Sequence, residues 1–125
     1  MAGSPGMRWR RPLVFQMNEI RYSPKAQSDL LEIREYIRVQ LENPIAAEEM
    51  VRRIVKQIRI LETSPGIGSP LSAKVGFETK YRYLVCRTYL IFYYAQDGTV
   101  YIVRLLNGRR AYRQLLFEEL SEERE

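Results

Sequence analysis

The stretch KYRYLVCRTYLIFYYAQDGTVYIVRLLNGRRAYR, Lys80–Arg113, decides the fold. Runs rich in Tyr, Val, Ile and Phe predict three strands, at about Thr79–Cys86, Tyr89–Ala95 and Thr99–Leu105. Asp97–Gly98 supplies a two-residue turn between the last two. Within Tyr89–Tyr94 both alternations are apolar: Leu90, Phe92 and Tyr94 on one side, Tyr89, Ile91 and Tyr93 on the other. Such a strand is central and covered on both faces. The same stretch carries seven cations (Lys80, Arg82, Arg87, Arg104, Arg109, Arg110 and Arg113) against one acid, Asp97. Positive charge held so densely on a small sheet predicts an anionic partner, with phosphate first among candidates.

Upstream of the strands the period changes. Ser23–Pro24 is a helix start, Ser as the cap and Pro in the first turn where its missing N–H costs nothing. Ala26, Leu30, Ile33, Ile37 and Leu41 then form one apolar stripe. Asn43–Pro44 repeats the cap chemistry and opens a second helix with the stripe Ala47, Val51, Ile54, Ile58 and Leu61. Glu48–Arg52 and Glu49–Arg53 are spaced as ion pairs on its outer side. The turn between the helices is short, so they form an antiparallel αα-hairpin. Pro65, Gly66, Gly68 and Pro70 make the loop that follows. Asn18–Tyr22 reads as an opening strand, and Arg110–Leu120 as a short C-terminal helix carrying Leu115, Leu116 and Phe117. The expected fold is α+β: an N-terminal strand, the helical hairpin, and a three-stranded antiparallel meander that completes a four-stranded sheet.

The 125 residues form one domain with a single modest core. Residues 1–16, broken by Gly and Pro, read as a disordered or upstream extension, with Met17 as the natural start. Residues 17–117 are the domain and 118–125 an acidic tail. Charge is uneven: residues 1–17 give +3, residues 18–79 balance nine cations against nine acids, residues 80–113 give +6 and residues 114–125 give −4. Cys86 is the only cysteine and lies in an apolar run, so a buried, inert thiol is expected and no internal disulfide. There is no histidine, which removes the usual general base and the commonest metal ligand. No metal and no cofactor are expected. No apolar run reaches membrane-spanning length, so no membrane association and a cytoplasmic location are expected.

Strand parity places Lys80 and Arg82 on one side, with Arg104 on a neighbouring strand two residues from Ile102. Gly108 lets the chain turn so that Arg109 and Arg110 project near the sheet's end. These five groups are expected to converge on one anion, with Tyr89 and Tyr112 as the functional members of the tyrosine set. RNA cleavage without metal or histidine needs charge stabilisation on the phosphorane, which arginine supplies, and a proton acceptor. A tyrosine or lysine among cations has its pKa lowered toward that duty, and Glu78 is the nearest acid.

From Met17 to Phe117 the chain resembles the RelE/ParE family of bacterial type II toxins. The resemblance rests on the Tyr-Ser-Pro helix start, the hairpin with its Pro-rich loop, and the segments TKYRYLVCRTYLIFYY and VYIVRLLNGRRAYRQLLF. It implies the same fold, growth inhibition by the free toxin, and a cognate antitoxin that covers the basic surface and assembles with it into an oligomer. RelE-like members cleave messenger RNA on the ribosome. Carried over, that activity makes Arg82, Arg110 and Tyr112 catalytic, and Lys80, Tyr89, Arg104 and Arg109 nucleic-acid-binding. Tyr89 stands where a RelE-like sheet arginine is expected. ParE-like members, which the long hairpin resembles, instead inhibit DNA gyrase by binding. The expectation is a toxin acting by ribosome-dependent mRNA cleavage, with a gyrase inhibitor or a nontoxic nucleic-acid-binding domain as alternatives.

Overall fold

A computed structural model describes residues 17–108 and 111–124. The expected extension, residues 1–16, lies outside them, as do Arg109 and Arg110. The elements are β1 (Glu19–Tyr22), α1 (Pro24–Glu35), α2 (Pro44–Arg59), β2 (Ser69–Pro70), α3 (Ser72–Val75), β3 (Arg82–Cys86), β4 (Tyr89–Gln96), β5 (Thr99–Asn107) and α4 (Ala111–Arg124).

Both helix starts form as their caps dictate. The Ser23 hydroxyl accepts the Ala26 N–H at 2.9 Å, and the Asn43 side chain accepts that of Ala46 at 3.1 Å. The same Ser23 hydroxyl donates to the Val103 carbonyl at 2.8 Å, so one side chain caps α1 and pins it to β5. The apolar stripes face inward: Ala26, Ile33, Ile37, Ala47, Ile54, Ile58 and Leu61 are buried. Leu41 departs from this pattern and is exposed. A π-helical turn over Tyr36–Gln40 closes α1, and its wider winding carries Leu41 off the stripe.

The sheet has five strands in the order β1-β5-β4-β3-β2 and is mixed, where four antiparallel strands were expected. The meander β3–β4–β5 is antiparallel, but β1 runs parallel to β5, Glu19 opposite Thr99 through Tyr22 opposite Ile102. Period-two patterning is the same for both directions of pairing, so a strand's neighbours cannot be read from it. The extra strand, β2, comes from the Pro-rich loop and pairs with the first two residues of β3 at the sheet's edge, where Pro is tolerated. The Asp97–Gly98 turn forms with positive φ at both residues, 51° and 79°.

β4 is covered on both faces. Tyr89, Ile91 and Tyr93 pack with Val100, Ile102, Leu105, Cys86 and the hairpin stripes. Phe92 packs on the other side with Leu71, Tyr81, Leu106, Ala111 and Leu115, so α4 closes that face. α4 is longer than the short helix expected and continues through the acidic segment. A bulge interrupts β5: Arg104 faces Phe92 and Ile102 faces Tyr93, leaving Val103 over. It reverses the alternation, so that Ile102 and Leu105 both reach the hairpin core.

Burial sets the alkaline limit of this core. Cys86 is pushed above its ordinary value of 9.0, and Tyr22, Tyr89 and Tyr93 above 10.0, in each case chiefly by desolvation. A proton held more tightly when folded contributes stability that is full below the unfolded pKa and fades as pH rises through the folded one. Thermal unfolding followed from about pH 7 to pH 11 therefore shows no loss from these groups below about pH 9, then a steady fall. A rising midpoint in the upper window contradicts their burial.

Candidate binding surface

The sheet cations do not form one cluster. Arg82 lies opposite Tyr93, on the hairpin side, and its guanidinium donates to the Gly68 carbonyl at 2.8 Å and to that of Gly66 at 3.4 Å. It clasps the Pro-rich loop. Lys80 precedes β3, so parity with Arg82 does not apply to it. Its ammonium sits 4.2 Å from the centroid of the Tyr94 ring, on the α4 side of the sheet.

Arg104, which parity with Ile102 would turn toward the hairpin, is turned the other way by the bulge. There it meets carboxylates. Its Nε lies 2.7 Å and one Nη 3.0 Å from the two Asp29 oxygens, and the other Nη pairs with Glu118. The Asp29 hydrogen bond, ahead of the cost of burial, raises the Arg104 pKa and secures its charge. Asp29 also accepts the Leu105 N–H at 2.9 Å. β1 ends at Tyr22, so beyond that point Asp29 on α1 takes the place of a neighbouring strand. Arg104 is thus engaged within the fold.

The two tyrosines are separated as well. Tyr89 is buried in the hairpin core, and burial, then Tyr36, raises its pKa, which opposes use as a base. Tyr112 is half-buried on α4, against the opposite core. Arg109 and Arg110 lie outside the described residues. Among the described residues, no three His, Cys, Asp or Glu side chains come together as metal ligands would.

What the fold does assemble is a cleft of about 520 Å³ on the α4 side, where β1 leads into α1. Tyr94 stacks on Tyr101 with ring centroids 4.9 Å apart, and Tyr81 meets Tyr94 edge-on at 5.7 Å. Lys80 stands over that platform, and Arg21 and Lys25 complete the rim. Arg21 lies opposite Tyr101 in the β1–β5 register and pairs with Glu19 at 2.9 Å, both side chains exposed. A polar-tipped aromatic floor with a cationic rim suits an acidic or amphipathic partner segment. Lys80 was legible in the sequence. Arg21 was not, because it joins the cleft only through the parallel pairing of β1.

The family model described as ParE toxin of type II toxin-antitoxin system, parDE, matches residues 20–112. No curated protein matches the chain. Eleven solved chains do. One belongs to a structure described as the chromosomal ParDE TA system from P. aeruginosa: 21% identical, TM-score 0.63, covering 75% of this chain and 99% of that one. At that identity the likeness is one of fold. Among the described residues no helix is long and apolar enough to cross a membrane.

Proposed function

The chain belongs to the ParE toxin family of type II toxin–antitoxin systems, and we propose that it stops growth by binding DNA gyrase rather than by cutting messenger RNA. The toxin's partner is an antitoxin, and the place of action is the cytoplasm. One observation supports a binding mechanism over a catalytic one. The two sheet arginines that cleavage would call on hold the fold instead, Arg82 through loop carbonyls and Arg104 through Asp29 and Glu118. The Arg104 guanidinium, engaged through Nε and both Nη, must break those bonds before it can stabilise a phosphorane, and Arg82 is tied to the loop through one Nη. A binding toxin has no such requirement. Its contact surface is the cleft of Lys80, Tyr94 and Tyr101.

Purified protein is expected to block supercoiling by gyrase while leaving transcripts whole in a translating extract. Lys80→Glu, on an exposed rim, is expected to weaken inhibition by roughly tenfold, the equivalent of ~1.4 kcal/mol. Unchanged supercoiling with toxin in excess, together with discrete cuts mapped by primer extension, would return the protein to the nuclease reading.

A further inference from the structure

Residues 18–79 balance in number of charges, but the fold distributes that balance unevenly. Glu48, spaced to pair with Arg52 along α2, reaches across the hairpin to Arg34 at 2.7 Å instead. Glu49 forms no ion pair with Arg53. Elsewhere Glu19 takes Arg21, Glu35 takes Arg38, and Asp29 takes Arg104. The outcome is a helix face whose cations are uncompensated. Among the described residues, Arg52, Arg53, Lys56 and Arg59 are all exposed and none takes part in an ion pair.

Arg52, Lys56 and Arg59 share one side of α2, four and three residues apart. Seven helical steps separate Arg52 from Arg59, a row about 10 Å long. The row borders an open cleft of about 520 Å³ that also includes Glu48, Val51 and Val55.

We infer that this face of α2 docks the phosphate backbone of duplex DNA, through Arg52, Lys56 and Arg59. Each strand of a duplex presents about one phosphate charge per 3.4 Å of axis, so a row of this length matches roughly three of them along one strand. The lining of this cleft includes no aromatic side chain, and its apolar members, Val51 and Val55, are already half-buried. A protein partner needs an apolar hot spot and disfavours lysine at the centre. Backbone binding needs only positioned charge, arginine adding bidentate contacts. The inference is independent of the gyrase reading, since the DNA is offered alone.

The test uses the full chain and a fluorescently labelled 20-base-pair duplex of arbitrary sequence, with anisotropy titrations from 50 to 200 mM KCl. Log K is expected to fall with log salt, and the variant Arg52→Gln/Lys56→Gln/Arg59→Gln is expected to reduce the slope by about 2.7, at ~0.9 for each phosphate no longer neutralised. At 50 mM salt its affinity is expected to drop at least tenfold. The single variant Lys56→Gln is expected to reduce the slope by about 0.9, and it keeps the test intact should the triple variant fold poorly. Arg38→Gln removes an equal charge from a site paired with Glu35 and is expected to leave the slope unchanged. A triple variant that keeps the wild-type slope, a wild type that does not bind the duplex, or binding of polyglutamate in its place each overturns the inference.

Discussion

Asp29→Ala is expected to lower the free energy of unfolding by about 3 kcal/mol, a fall of roughly 10 °C in the thermal midpoint. The side chains of Asp29 and Arg104 are only 8% and 12% exposed, and the pair is bidentate. Removing the carboxylate leaves a largely dehydrated guanidinium with Glu118 alone. It also strips the Leu105 N–H of its acceptor at the point where β5 has lost β1 as a neighbour. The remaining ion pair with Glu118 places the cost at the lower end of the range for breaking a buried pair. The double replacement Asp29→Leu/Arg104→Met removes both charges of the pair and is expected to recover only the part due to the stranded guanidinium, since the Leu105 N–H still lacks its acceptor and Glu118 its partner. A single variant melting within about 2 °C of wild type would show that the pair does not hold α1 against the sheet.

Gly68→Ala carries an expected cost of about 3 kcal/mol, read as a lower denaturant midpoint at unchanged slope. A Cβ there would lie 2.5 Å from the Tyr93 hydroxyl, 2.7 Å from its ring and 2.9 Å from the Tyr83 carbonyl oxygen. Neither obstacle can yield cheaply, since Tyr93 is fully buried and the other is backbone. Moving the loop instead breaks the bond from the Gly68 N–H to the Tyr93 hydroxyl (2.9 Å), the bond from that hydroxyl to the Pro65 carbonyl (2.8 Å), and the hold of Arg82 on Gly68 (2.8 Å). Tyr93→Phe, which loses the hydroxyl without a clash, is expected to cost only about 1–2 kcal/mol. Gly68→Ala in that background should remain destabilising, because the ring and the Tyr83 carbonyl are still in place. Full rescue would locate the conflict at the hydroxyl alone.

Much of the fold was legible because its signals are local. Ser23 and Asn43 cap the helices they precede, the two apolar stripes turn inward except at Leu41, and Asp97–Gly98 makes the turn its residues favour. The doubly apolar run Tyr89–Tyr94 is central. The candidate site was less legible. Lys80 and Arg82 are two residues apart, but parity links them only if the strand includes both, and β3 starts at Arg82. Arg104 has two possible faces, and a single bulged residue chooses between them. The acids on α2 looked like partners for the arginines one turn on, yet Glu48 is drawn across the hairpin to Arg34.

Local chemistry in the chain, its caps, periodicities and turn residues, by itself determined the two long helices, the strands β1, β3, β4 and β5, and the inward side of most of the helix stripes. Those choices are made within a few residues, where sterics and backbone hydrogen bonding act. Only the tertiary structure decided that β1 lies parallel to β5, that Asp29 completes that strand's edge, and which cations remain unpaired. Each of these depends on groups far apart in sequence meeting at hydrogen-bond distance. Asp29 and Arg104 are separated by 75 positions, and no local pattern encodes that meeting.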